Sequence, residues 1–130
     1  MCGFAGLVLR EPNEDVAQRF RALALKSLAR RGPDATGTAR FGAVELIHTR
    51  LSIIDLATGQ QPMADEDGAI AYNGEIYNHA ELHLPGVAYR THSDTEVLLK
   101  GMNQVGLDFL ARADGMFAFA HLDKARRRLT

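Results

Sequence analysis

The chain has 130 residues, of which 46% are hydrophobic and 24% charged, and its formal net charge is -1 at pH 7. This composition is ordinary for one soluble globular domain with its own core, and the small net charge gives no electrostatic reason to expect a nucleic acid or a membrane as partner. The single cysteine excludes an internal disulfide, and the N-terminal residues lack the basic and long apolar regions of a signal peptide, so we expect a cytoplasmic protein.

The first half of the sequence predicts a strand, a helix and a hairpin. Residues 3–9 form a short apolar run that is typical of a buried strand. Asn13 is placed to cap a helix that extends to about residue 30. The apolar face of this helix would consist of Val16, Phe20, Leu23 and Leu28. Residues 36–41 and 43–49 then predict the two strands of a hairpin.

The second half begins with a long connection over residues 50–63, whose apolar content favours a functional loop over disorder. Ser93 and Glu96 have the spacing of a capping box at a helix start. The other predicted elements are strands over 69–72, 87–91 and 116–122, short helices over 76–84 and 107–111, a helix from Ser93 to Gly106, and a last strand from residue 127. Because the chain stops in what reads as the second arm of a hairpin, we expect a domain over residues 1–130 that is truncated at its C-terminus.

Cys2 is the residue that removal of Met1 would place at the N-terminus. It would then carry a nucleophilic thiol and an α-amine whose unperturbed pKa is about 8. Such a residue combines the nucleophile and the general base that nucleophilic catalysis requires. From its position alone, a buried structural cysteine is the simpler interpretation.

Asn73 and Gly74 follow a predicted strand and form a candidate oxyanion hole. An Asn side-chain amide and the backbone N–H of the next glycine can both point at one oxygen. The alternative is a hairpin turn, for which Asn-Gly is a strong signal. The residues after Glu75 do not alternate as a return strand would, which weighs against the turn.

Arg50 and Asp94 are candidate partners for the two ends of a zwitterion. The planar guanidinium of Arg50, at the end of a predicted strand, can bind a carboxylate through two hydrogen bonds. Asp94, at a predicted helix start, can bind an ammonium group. The simpler alternatives are a surface ion pair for Arg50 and plain helix capping for the Ser93-Asp94 pair.

His79 and His83 are four residues apart, which is a spacing that metal ligands use. The sequence offers no third ligand in a comparable motif, so we interpret them as surface histidines and expect no metal site. Neither a phosphate-binding loop nor a G-x-G-x-x-G motif is present, which predicts no nucleotide site in this chain.

Seven motifs occur in order, at residues 1–6, 30–34, 48–56, 61–63, 72–78, 93–96 and 114–120. Together they resemble the N-terminal glutaminase domain of class II glutamine amidotransferases, which are N-terminal-nucleophile hydrolases. Within that class, the residues after Arg50 resemble those of the glutamine-hydrolysing asparagine synthetases. Residue 30 is Arg, where many members of the family have His.

The resemblance implies an α+β fold of the four-layer αββα type and the hydrolysis of L-glutamine through a thioester on Cys2. It implies that Asn73 and Gly74 hold the oxyanion, that Arg50 binds the substrate α-carboxylate, and that Glu75 and Asp94 bind the α-ammonium group. The segment implied to line the pocket consists of Leu51, Ser52, Ile53 and Ile54.

The resemblance also implies that the ammonia serves an ATP-dependent amidation of aspartate in a synthetase domain or subunit. We expect no cofactor in this chain, with ATP and Mg²⁺ belonging to the absent synthetase domain, and a homodimer is a further possibility. Two alternatives stay open on the sequence: a non-catalytic glutamine-binding or interaction module, and an amidotransferase of the same class with another acceptor.

Overall fold

The computed structural model of the chain describes residues 2–51 and 59–130, and it combines helices with two antiparallel sheets in an α+β arrangement. The strands and α-helices are β1 (Gly3–Val8), α1 (Glu14–Leu28), β2 (Ala35–Phe41), β3 (Val44–Arg50), β4 (Met63–Ala64), β5 (Gly68–Ile76), α2 (Asp94–Gln104), β6 (Gly115–Asp123) and β7 (Arg128–Leu129). Two 3₁₀ segments, His79–Leu82 and Gly106–Arg112, flank α2.

The two sheets pack against each other, and each carries one helix. The strand order is β1-β3-β2 in the first sheet and β4-β5-β6-β7 in the second. Helix α1 packs on β1 and β3, whereas α2 packs on β4, β5 and β6. Strand β5 contacts both β1 and β3, so it joins the second sheet to the first.

Alternation along β5 divides the core into two clusters. Ile70 and Tyr72 belong to the cluster that includes the apolar residues of α2, whereas Ala69 and Ala71 pack with Leu46 of β3 between the sheets. Successive side chains of a strand point to opposite faces. Asn73 therefore lies on the face of β5 that is turned toward the first sheet.

Helix α1 begins as predicted, but its buried face is different. The Asn13 side chain accepts a hydrogen bond from the backbone N–H of Val16, which confirms the cap. The predicted apolar face is wrong in part, because Val16 and Leu23 are exposed and Ala17 and Ala24 are the buried residues. Small alanines allow the helix to lie close on the first sheet, which turns the two larger side chains toward solvent.

The elements around α2 differ most from the prediction. Strand β5 continues to Ile76, and residues 87–91 do not form a strand. The reason is the Glu96 carboxylate, which accepts hydrogen bonds from the backbone N–H groups of Arg90 and Thr91 and so occupies donors that a strand would use. The Ser93 side chain caps the helix by accepting a hydrogen bond from Thr95 N. The Glu96 carboxylate does not accept one from Ser93 N, as a capping box would require.

The predicted short helices over 76–84 and 107–111 are the two 3₁₀ segments, and strand β4 was not predicted. Within the described ranges, no helix combines the length and the apolar character needed to cross a membrane.

Candidate active site

Cys2 lies just before β1, beside the end of β3. The antiparallel register places Gly3 opposite Thr49, which brings the half-buried Cys2 next to Arg50 and Leu51. The backbone N–H of Leu51 donates to Cys2 Sγ at 3.4 Å. The sulfur is therefore held at the point where β3 leaves the first sheet.

The end of α1 and the turn after it hold the backbone of Cys2 and of Thr49 in place. Arg31 donates from Nε to the carbonyl oxygen of Cys2 at 3.1 Å. The Thr49 hydroxyl donates to the carbonyl oxygen of Leu28 at 3.2 Å. A side chain at Gly32 would place its Cβ 2.2 Å from the backbone carbon of Thr49. Only glycine allows so close an approach between this turn and β3.

Arg50 is the last residue of β3 and is buried, with 8% of its surface exposed. Its carbonyl oxygen accepts a hydrogen bond from Asp34 N at 3.0 Å. Leu51 is half-buried beside it. The remaining predicted pocket residues, Ser52, Ile53 and Ile54, lie outside the described residues.

His48, two residues before Arg50, connects the two sheets. It is 1% exposed, and its Nε2 lies 3.1 Å from the carbonyl oxygen of Tyr72 in β5. Because a carbonyl only accepts, the imidazole carries its proton on Nε2. Burial lowers the pKa of His48 despite this hydrogen bond, so the ring is neutral at pH 7.

Asn73, Gly74 and Glu75 lie within β5 and not in a hairpin turn, so the turn interpretation of Asn-Gly is wrong. Asn73 is half-buried and Glu75 is exposed. Gly74 has a φ of 151°, and a Cβ there would lie 2.2 Å from the carbonyl oxygen of Met116 in β6. Both the backbone conformation and the contact with β6 require glycine at this position.

Asp94 is the first residue of α2, and its carboxylate is tied to β5. Its Oδ2 accepts hydrogen bonds from the Tyr72 hydroxyl at 2.6 Å and from the backbone N–H of Ile76 at 3.0 Å. The pKa of Tyr72 is raised, first by burial and then by its hydrogen bond to Asp94, so the phenol stays protonated and donates.

The contacts connect the predicted residues through their strands. Cys2 contacts Leu51 at the end of β3, His48 of β3 contacts Tyr72 of β5, and Tyr72 contacts Asp94. Among the described hydrogen bonds and ion pairs, none joins Cys2 directly to Asn73 or Asp94. These contacts connect β3 to β5 and β5 to the start of α2.

Gln61 and Tyr72 also hold this arrangement together, and neither was predicted to have a role. The Gln61 side chain accepts a hydrogen bond from Tyr72 N at 2.6 Å and donates to the Thr95 hydroxyl at 3.3 Å. Both residues belong to motifs that resemble the family, and that membership is the one signal in the sequence that could have identified them.

The two histidines discounted as metal ligands are otherwise engaged. His79 Nδ1 lies 3.0 Å from the carbonyl oxygen of Ile76, and the His83 ring stacks on Tyr89 at 4.2 Å between centroids. Among residues 2–51 and 59–130, no group of three or more His, Cys, Asp or Glu side chains is arranged to hold a metal ion.

A groove of about 260 Å³ runs between β4 and α2, and Cys2 is not among its lining residues. Its walls include Asp65, Thr91, Glu96 and Lys100. These groups already bond to one another or to nearby backbone: Lys100 pairs with Asp65 at 2.8 Å, and Thr91 donates to Glu96 at 2.7 Å. The groove is therefore lined by polar groups that stabilise the fold.

The model of the glutamine amidotransferase domain family matches residues 1–130. The chain is 46% identical to asparagine synthetase [glutamine-hydrolyzing] of Asparagus officinalis, 44% identical to that of Sandersonia aurantiaca, and 43% identical to asparagine synthetase [glutamine-hydrolyzing] 1 of Arabidopsis thaliana. Each alignment covers 95% of this chain but only 22%, 24% and 22% of the respective relative. The chain thus spans less than a quarter of the length of these curated relatives.

Proposed function

Since the chain belongs to the family of glutamine amidotransferase domains, we propose that it hydrolyses the side-chain amide of L-glutamine to L-glutamate and ammonia, with Cys2 as the nucleophile. The observation that supports this most is the position of the Cys2 sulfur, held by Leu51 N–H beside the buried Arg50. A nucleophile next to a carboxylate-binding cation suits an amino-acid substrate.

In the proposed reaction, Met1 is removed and Cys2 Sγ attacks the amide carbon of glutamine. The thiol proton passes through the Cys2 α-amine to the leaving nitrogen, the C–N bond breaks, and ammonia departs from a thioester. Water then attacks the thioester, which releases glutamate and returns a proton to the sulfur. Asn73 and the Gly74 N–H would hold the negative oxygen in both tetrahedral intermediates.

The same proposal assigns the ends of the substrate. Arg50 would bind the α-carboxylate, and Glu75 and Asp94 would bind the α-ammonium group. The segment proposed to line the pocket consists of Leu51, Ser52, Ile53 and Ile54. The position of Asp94 beside β5 supports its role, because it places a carboxylate next to the strand that carries Asn73.

We further propose that the domain spans residues 1–130 and has the four-layer αββα architecture of N-terminal-nucleophile hydrolases. The packing order supports this: α1 lies on the first sheet, the sheets face each other through β3 and β5, and α2 lies on the second sheet. A nucleophile at one end of the first sheet suits this architecture, and Cys2 directly precedes β1, an edge strand that pairs with the central strand β3.

For the whole protein, we propose that the ammonia reaches a synthetase domain or subunit that amidates aspartate with ATP and Mg²⁺, in the cytoplasm. The names of the relatives, which are glutamine-hydrolysing asparagine synthetases, support the coupling of glutamine hydrolysis to asparagine formation. No cofactor is proposed for residues 1–130, and a homodimer remains a proposal.

The direct test is ammonia release from L-glutamine by the full-length protein, compared with its Cys2→Ala variant. We expect release by the unchanged protein only. Release at the background rate from both proteins, each shown to be folded by circular dichroism, would contradict the proposal. Asparagine formation in the presence of aspartate, ATP and Mg²⁺ tests the acceptor separately.

A further inference from the structure

The Tyr72 hydroxyl bonds to the carboxylate that the proposed function assigns to the substrate. Tyr72 Oη donates to Asp94 Oδ2 at 2.6 Å, and the backbone N–H of Ile76 donates to the same oxygen at 3.0 Å. Among the described residues, Oδ1 of Asp94 receives no hydrogen bond. Two donors on one oxygen fix the rotation of the carboxylate and leave the other oxygen available to a ligand.

We propose that Tyr72 is a positioning residue for recognition of the substrate α-ammonium group, which it serves by holding the Asp94 carboxylate. Tyr72 is 2% exposed, so its ring is fixed in the core cluster beneath α2. A donor that cannot move holds an acceptor in one orientation, whereas an unsupported carboxylate on a half-exposed helix start would rotate. The proposal rests on the proposed function, because Asp94 matters only if it binds substrate.

Gln61 also connects β5 to the start of α2. Its Oε1 accepts from Tyr72 N at 2.6 Å, and its Nε2 donates to Thr95 Oγ1 at 3.3 Å. Thr95 follows Asp94 in α2, so Gln61 and Tyr72 both bind β5 to the first turn of this helix. The Tyr72 carbonyl is held in turn by His48. The backbone N–H, the carbonyl and the hydroxyl of Tyr72 therefore all help to hold β5 in place beside Asn73.

The test compares two substrates on two variants of the full-length protein. Tyr72→Phe removes only the hydroxyl. Tyr89→Phe is the matched control, because the Tyr89 ring packs on the same core cluster and its hydroxyl accepts from Leu84 N, with no hydrogen bond to Asp94 among the described residues. The substrates are L-glutamine and glutaric acid monoamide, which is glutamine without its α-ammonium group. The measured quantity is the preference for glutamine, as a ratio of kcat/KM values.

We expect Tyr72→Phe to lower this preference about 10-fold, since hydrogen bonds to charged groups are among the stronger ones. The lower preference would come from a higher KM for glutamine, with kcat nearly unchanged. Tyr89→Phe would keep the preference of the unchanged protein. Because both substrates are measured on one preparation, a reduced folded fraction cancels from the ratio. Gln61→Met is a third variant, which replaces Tyr72→Phe if that protein does not fold, and it should also lower the preference for glutamine.

An equal loss of kcat/KM for both substrates would overturn the proposal and leave Tyr72 a purely structural residue, as would an unchanged preference. In either case, glutamine hydrolysis by the unchanged protein would still support the proposed function. Failure of the unchanged protein to release ammonia from glutamine would instead overturn the proposed function and, with it, this inference.

Discussion

The Nε2–H of His48 donates to the carbonyl oxygen of Tyr72 at 3.1 Å, and this hydrogen bond joins the two sheets beside the proposed site. His48 is two residues before Arg50 in β3, and Tyr72 is one residue before Asn73 in β5. The strand that carries the proposed carboxylate-binding cation is therefore fixed to the strand that carries the proposed oxyanion hole. The donor in this hydrogen bond is a fully buried imidazole.

Stability should fall when the pH decreases from about 7.5 to 5.5. Burial lowers the pKa of both His48 and His121, so the unfolded chain, whose histidines titrate near 6.5, binds more protons than the folded one. Their contribution is present above pH 6.5 and is lost as the pH falls toward the lowered pKa values. The slope should reach at most about 1.4 kcal/mol per pH unit for each histidine.

Urea unfolding at several pH values measures this slope. The double variant His48→Gln with His121→Gln should flatten it, whereas His92→Gln, which changes an exposed histidine, should leave it intact. An unchanged slope in the double variant would show that other groups cause the pH dependence.

Asn73→Ala should reduce kcat for glutamine hydrolysis by about 100-fold or more, as the removal of one oxyanion-hole donor typically does. Its stability should change by less than about 1 kcal/mol, because the Asn73 side chain makes no hydrogen bond among the described residues. Asn78→Ala is the matched control, since that side chain bonds to Arg112 O and Asp114 N. We expect this control to lose stability and keep kcat; the reverse pattern would refute the assignment.

Gly74→Ala should destabilise the protein by about 2–4 kcal/mol, because the new Cβ meets the backbone of β6 and φ is unfavourable for alanine. Gly6→Ala is the control, as its Cβ would find only ordinary contacts, the nearest at 3.5 Å from Leu46. Denaturant midpoints compare the two. Equal stability of both variants would mean that β5 and β6 separate at little cost.

Glu96→Gln should lower the free energy of unfolding by about 2–3 kcal/mol. The reason is that the buried Glu96 carboxylate accepts hydrogen bonds from the backbone N–H groups of Arg90 and Thr91 and from the Thr91 hydroxyl. Burial alone would raise the pKa of Glu96, but these hydrogen bonds outweigh it and lower the pKa. The contribution is therefore present above about pH 4.5 and is lost as the pH falls through the lowered value.

Thermal unfolding at pH 7 and pH 3 checks this expectation, with the exposed Glu81→Gln as the control. The difference between Glu96→Gln and the unchanged protein should shrink at pH 3. A difference of the same size at both values would contradict a role for the charge.

The sequence predicted those elements whose signals are local. The Asn13 cap, the hairpin of β2 and β3, and the apolar strand β6 each follow from short-range pattern, and the structure has all three. The α+β class and the family are confirmed as well. The site residues are still a proposal, which is supported by the contacts that join β3 to β5 and β5 to the start of α2.

What sequence could not predict depends on contacts between distant residues. Residues 87–91 have a strand-like pattern, but Glu96 captures their N–H groups. The face of α1 depends on how closely the helix approaches the first sheet, which the order of apolar residues does not encode. The bond from Tyr72 to Asp94 spans 22 residues and leaves no periodic signal.

The central claim is that the Cys2 sulfur attacks an amide carbon, and covalent labelling tests it most directly. The full-length protein would be treated with a diazoketone analogue of glutamine, with and without excess glutamine, and the adduct located by peptide mass spectrometry. We predict one adduct, on the Cys2 sulfur of chains that have lost Met1, and protection of that sulfur by glutamine. A folded, processed protein that carries no adduct on Cys2 would contradict the account.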